Sequence, residues 1–308
     1  MMRMAIKTLC VLAQVLKTIC NYPFHYLHIF CLKNRQVSYL FGGFVLRVFF
    51  TKEIMSLVFK YSIRVQYNSD TPSVNLESAM PQKNRVILIH GLHQTPWIMK
   101  KLARRLQSEG FDTYQYGYRS LRDDIKINSA QLNEWLEQNH HSNEPIDLVG
   151  HSLGGLIIRD FVAHYPKWHI GHCVTLGTPH IGSVCADYIW RLTPAVVGRS
   201  YIDALDGSVA PLPQHITLGV IAGNHPYGLG QVFLQYHNRK LRKQGTPSLS
   251  DACAHDGTVY VSETKVEGAS DHIVLPVSHT GMLVNQQVAE QTCYFLEHGQ
   301  FNHDLLNE

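Results

Sequence analysis

Ile146-Asp147-Leu148-Val149-Gly150-His151-Ser152-Leu153-Gly154-Gly155 decides the fold. An apolar run ends in Gly-x-Ser-x-Gly, and Leu156-Ile157-Ile158-Arg159-Asp160-Phe161-Val162-Ala163 continues with helical character. Strand, sharp turn and helix form the context of a nucleophile elbow. The reason is steric. A serine at the apex of so tight a turn has backbone packed against it on both sides, and glycine at the flanking positions permits that approach. The turn lifts the Ser152 hydroxyl above the sheet and aims the free N–H groups of a helix N-terminus at the same point.

Working outward, Val86-Ile87-Leu88-Ile89 is a continuous apolar run, as expected of a strand covered on both faces. Thr95-Pro96 is expected to start a helix, with Thr95 as N-cap; Ile98, Leu102 and Leu106 share a face and Gly110 ends it. A strand over Tyr114–Tyr118 and a helix marked by Ile125, Leu132, Trp135 and Leu136 come before the elbow. Cys173–Gly177 and Ile216–Ala222 read as further strands, and Val284, Val288, Phe295 and Leu296 give a closing helix its buried face. Strands alternating with helices imply a mostly parallel sheet with helices on both faces. The stretch from about 179 to 214 is too long for a plain connection and reads as a small helical cap.

The chain has 308 residues, 45% apolar and 17% charged, which excludes a disordered polymer and allows a substantial core. Its net charge of +3 implies no nucleic-acid partner. The charge is uneven, however. Residues 1–60 carry eight Lys and Arg against Glu53 alone, so a basic, aromatic head precedes a net acidic body. The division expected is a basic apolar extension over 1–54 and a catalytic domain over 55–308. Three readings of the extension stand: a segment lying on an anionic membrane surface, a packed helical hairpin, or a stretch upstream of a start at Met55. Phe59, Tyr61, Ile63, Val65 and Tyr67 alternate with polar residues, as a half-buried strand would. No small-x-small site follows the apolar start, which argues against a secretory signal, and Thr18–Leu32 is too short for a confident transmembrane helix. The seven cysteines form no Cys-x-x-Cys pair, and neither a disulfide framework nor metal-ligand spacing is evident. The expected location is the cytoplasm or the inner membrane face.

A serine hydroxyl needs a base to take its proton, and after this elbow the partners follow in the order Ser, Asp, His. Among nineteen histidines, position selects His279, in a loop after the last strand and just before the closing helix. His272 is the competitor, but it opens the apolar run Ile273-Val274-Leu275. His90, His151 and His255 read as structural. Asp256, in Asp256-Gly257-Thr258-Val259, is the expected acid and Asp271 the runner-up, while Asp203 and Asp206 lie in the cap as solvated groups. The amides of Leu153 and Leu92 are the expected oxyanion donors, with that of His93 as the alternative to Leu92.

Together, Ile89-His90-Gly91-Leu92, the Gly150–Gly155 elbow, Leu176-Gly177-Thr178-Pro179-His180-Ile181-Gly182-Ser183, Asp256-Gly257-Thr258-Val259 and Ser278-His279 resemble an α/β-hydrolase of the lipase and esterase type. They are similar to bacterial lipase-like hydrolases and to the inositol-deacylase-like branch. The resemblance covers about residues 85–300, leaving the first 55 or so residues without a counterpart. It implies ester hydrolysis through an acyl-enzyme, no cofactor, and an acyl-ester or lipid substrate. An acyltransferase with the same triad and a non-catalytic membrane-surface protein on this scaffold are the alternatives.

Overall fold

The computed structural model describes residues 28–33, 36–41, 44–49, 83–243 and 253–304. Contacts divide the chain into two units, Met1–Leu76 and Glu77–Glu308, so the boundary expected at residue 54 falls inside the first. In that first unit β1 (His28–Lys33), β2 (Gln36–Phe41) and β3 (Phe44–Phe49) form an antiparallel meander. This corrects the helical-hairpin reading. Phe41 pairs with Phe44, so Gly42-Gly43 alone separates them in sequence, a composition that favours a tight hairpin. The alternating stretch Phe59–Tyr67 lies outside the described residues.

The second unit is built on six parallel strands: β4 (Arg85–Ile89), β5 (Asp112–Tyr116), β6 (Ile146–His151), β7 (Ile170–Leu176), β8 (Thr217–Gly223) and β9 (Asp271–Leu275). Their order is β5-β4-β6-β7-β8-β9. From β4 the chain first steps to one side, to β5, and then builds every later strand on the other. The switch point between β4 and β6 leaves a crevice at their carboxyl ends, and the Gly91 turn and Ser152 lie there.

Alternate residues of the strands feed two cores. Ile87, Ile89, Leu148 and Val220 face one way and pack with α2 (Ile125–Asn139) and α3 (Leu153–His164). Val86, Leu88, Val149 and Ile221 face the other and pack with α1 (Lys100–Ser108) and α6 (Gln286–His298). The helix expected from Thr95 begins instead as a 3₁₀ turn over Pro96–Met99, and the Thr95 side chain makes no capping bond. The strand expected at Tyr114–Tyr118 sits two residues earlier. Gly117 packs so closely on Pro96 that a Cβ there would lie 2.8 Å from its ring, and the ladder ends before it.

Between β7 and β8 the chain forms α4 (Val184–Leu192), a turn over Pro194–Val197 and further turns to Leu205. Ala186, Val197, Ala204, Leu205 and Val209 of this insertion join the core beside α2 and α3. A helix α5 (Gln231–Lys243) follows β8 and packs on α4 through Leu234, Cys185 and Tyr260. Among the described residues no helix is long and apolar enough to cross a membrane.

Candidate active site

β6 delivers its last residue, His151, directly to Ser152, which opens α3 with φ +53°. That conformation is costly for a residue with a Cβ and persists only where its surroundings enforce it. They do so here. The Ser152 amide donates to the Leu176 carbonyl (2.9 Å), and the Ser152 carbonyl accepts from the Thr178 hydroxyl (2.9 Å) and the Gly155 amide (3.0 Å). Gly154 is required by close approach, since a Cβ there would lie 2.3 Å from the Ile89 carbonyl oxygen.

Asp256 and His279 come together at the same end of the sheet. His279 Nδ1–H donates to Asp256 Oδ2 (2.7 Å), and the His279 amide donates to the Asp256 carbonyl (2.9 Å). Oδ1 accepts the amides of Thr258 (2.9 Å) and Val259 (2.7 Å), so the buried carboxylate is held by three N–H donors. With Nδ1 protonated, His279 Nε2 is left as the basic lone pair. The Ser152 hydroxyl is not among the hydrogen-bond partners of His279 in the free chain; such contacts commonly tighten only when substrate binds.

His151 explains how the histidine loop is registered against the elbow. Its ring is fully buried, 4.8 Å from that of His279, and its Nε2–H donates to the His279 carbonyl (2.9 Å). Burial first, then the neighbouring His279, pushes its pKa down to about 3, so it stays neutral and serves as a fixed donor. His90 stacks on Tyr118 at 4.4 Å and donates to the Gly91 carbonyl. His255 Nδ1 accepts the Gly257 amide, and His272, on β9, meets the Thr264 hydroxyl.

The runner-up acid is far from this cluster. Asp271 begins β9, four residues before the carboxyl end, and holds the Phe301 amide and His303. At about 3.3 Å per residue that places it on the order of 13 Å down the strand from its exit. Asp203 pairs with Lys126, and Asp206 accepts the amides of Asp203 and Ser208.

The amides of Leu92 and Leu153 have no protein partner among the described residues. The alternative donor is already engaged, since the His93 amide bonds Ser120 Oγ (3.2 Å). His93 has φ +58°, and its Nε2–H reaches the Val196 carbonyl in the cap insertion (2.6 Å). Sequence reasoning did not find this strap, nor Glu263. The Glu263 carboxylate accepts the amides of Val184 (2.6 Å) and Tyr260 (2.8 Å), tying the Asp256 loop to the start of α4. Desolvation raises its pKa to about 7.

The comparisons with known proteins agree with this architecture. The family described as alpha/beta hydrolase fold matches residues 84–217, which span β4 to the start of β8 and include the elbow. Residues 84–217 thus carry the family's signature, and the six-stranded parallel sheet with its helices is that of the α/β-hydrolase fold. The mature form of the lipase BlEst2 from Bacillus licheniformis superposes with a TM-score of 0.55 at 18% identity, over 71% of this chain and 93% of that one. The phospholipase PlaB from Legionella pneumophila gives 0.51 at 14% identity, over 73% of this chain and 62% of that one. At such identities the likeness is one of fold alone.

Proposed function

We propose that this protein is a serine carboxylester hydrolase working through an acyl-enzyme. The observation that carries the reading is the Asp256–His279 pair, closed at 2.7 Å at the end of the sheet where Ser152 sits in its enforced positive-φ turn. In the proposed sequence His279 Nε2 takes the Ser152 proton as Oγ attacks the acyl carbonyl. The amides of Leu92 and Leu153 receive the oxyanion. Collapse expels the alcohol, which leaves with the proton from His279. Water then attacks the acyl-enzyme with His279 again as base, releasing the acid and restoring Ser152. Asp256 holds Nδ1–H throughout and stabilises the imidazolium.

We further propose that the ester belongs to a lipid. Ile181, Leu192, Val196, Ile202, Tyr227 and Leu229 are exposed, and all lie in segments that leave the carboxyl ends of β7 and β8. Apolar surface concentrated round one end of the sheet suits an apolar substrate. The test is fluorophosphonate labelling followed by turnover on acyl esters of graded chain length, with and without competing alcohols. Stoichiometric labelling lost in Ser152→Ala, with free acid as product, supports the reading. Ester products in the presence of alcohol would move it to acyl transfer, and an unlabelled chain would overturn it.

A further inference from the structure

A groove with a volume of about 480 Å³ lies between the segment after β5 and the cap insertion. Its walls are apolar, from Leu121, Trp190, Pro194, Ala195 and Ile202. Trp190 lies flat on Tyr201, with centroids 4.5 Å apart and planes 7° from parallel, so that wall is stiff. The only charged groups lining the groove are the exposed guanidiniums of Arg122 and Arg199.

The acids nearby are all committed elsewhere. Asp123 pairs with Arg119, Asp203 with Lys126, Asp124 caps α2 through the Ile127 amide, and Asp187 accepts the Tyr201 hydroxyl. Among the described residues neither Arg122 nor Arg199 has an ion pair or a side-chain hydrogen bond. Their backbones are nonetheless locked together. The Arg199 amide donates to the Leu121 carbonyl (3.1 Å), Ser200 Oγ donates to the Ser120 carbonyl (2.7 Å), and Gly198 (φ +66°) passes so close that a Cβ would lie 2.3 Å from the Leu121 oxygen. Two unneutralised forks are thus anchored at fixed backbone positions beside an apolar trough.

We propose that this groove is a binding site for an anionic amphiphile, an alkyl chain bearing a phosphate or carboxylate. The chain would lie against Trp190 and Ile202, and the head would be gripped by Arg122 and Arg199. Guanidinium forks match the oxygens of either head group. A bare anion would meet only solvent-screened charge, whereas each methylene laid in the trough tightens binding about fourfold. The groove shares Ile202 with the apolar surface assigned above to the ester, but binding in it requires no turnover at Ser152.

The test uses the full chain carrying Ser152→Ala, so that nothing is turned over, and reads tryptophan fluorescence. Monomeric dodecyl phosphate and dodecanoate should each give a saturable change that disappears in Trp190→Phe. Arg122→Gln with Arg199→Gln should weaken both by at least tenfold without altering the melting temperature, while inorganic phosphate should give no saturable change. Equal affinity for a neutral dodecyl glycoside, an unchanged affinity in the double Gln variant, or a signal that survives Trp190→Phe would overturn the proposal. Vesicles containing an anionic phospholipid distinguish the source. A Trp190-dependent response to them assigns the ligand to a bilayer lipid, and a response to the monomers alone assigns it to a free amphiphile.

Discussion

Arg159 and the His180 carbonyl are joined at 2.6 Å, and through that contact the helix that starts at Ser152 holds the beginning of the cap insertion. The same guanidinium holds its end, donating to the carbonyls of Val209 (3.2 Å) and Ala210 (2.7 Å). One side chain therefore closes both ends of an insertion about thirty residues long. Arg159→Met should leave three carbonyls without their donors and destabilise folding by about 3 kcal/mol in urea titration. Arg159→Lys, with a single ammonium for three acceptors, should recover only part of that loss. Full stability in the Met variant would show that the carbonyls find water instead.

Asp256 and Asp271 separate cleanly by their surroundings. Asp256→Asn should lower kcat by about 10⁴-fold, because the amide no longer imposes the Nδ1–H tautomer on His279. Asp271→Asn should keep kcat and lower the melting temperature, since it loosens the Phe301 and His303 contacts at the other end of β9. Kinetics and melting curves on the two variants check both halves.

His93 links the turn after β4 to the cap. His93→Gly relieves the positive φ but removes the bond to Val196, so a purely steric role predicts unchanged or better turnover. The expectation here is a fall of about tenfold in kcat on a soluble ester with KM little changed, because the neighbouring Leu92 amide loses its fixed position.

Glu263 gives a pH signature of its own. The folded chain holds this proton more tightly than the unfolded chain, about 7 against roughly 4.3. Its contribution to stability is therefore greatest below about pH 4.3 and declines as pH rises towards 7, by an amount on the order of 3 kcal/mol. Glu263→Gln should be less stable than the parent at low pH, and the gap should narrow across that window. A gap that widens with pH would mean that the two amide donors, not burial, govern the group.

Gly154→Ala forces a methyl into the Ile89 carbonyl, against β4 in the middle of the sheet. Loss of more than about 3 kcal/mol is expected, at the upper end of overpacking costs, with expression in the insoluble fraction.

These contrasts also show what could be read from the residues alone. β4 and β6 were legible because buried parallel strands write continuous apolar runs, and the elbow because backbone crowding demands glycine at set spacings. The place of His279 before the closing helix singles it out among the histidines, and the structure brings it to Asp256. The strap from His93, the clamp by Arg159 and the bridge by Glu263 join residues from tens to over a hundred positions apart, and no local pattern marks them. β5 reads two residues late because the alternation of Tyr114, Tyr116 and Tyr118 runs on past the end of the ladder, which takes in the polar Asp112 and Thr113 instead. The strands over 28–49 were missed because their aromatic content suits helix, hairpin or membrane surface equally.

The parallel sheet sets an order of events as the chain is made. Ser152 stands after β6, Asp256 after β8, and His279 only after β9, whose place in the sheet depends on β8 being there first. A nascent chain can complete the elbow and its helix while β7, β8 and β9 are still to come, and it then holds Ser152 without His279. The hydrogen bond between Asp256 and His279 can close only once β9 and the loop after it are in place. If the proposed function holds, a chain that stalls before β9 would carry its nucleophile without its base, inert towards esters.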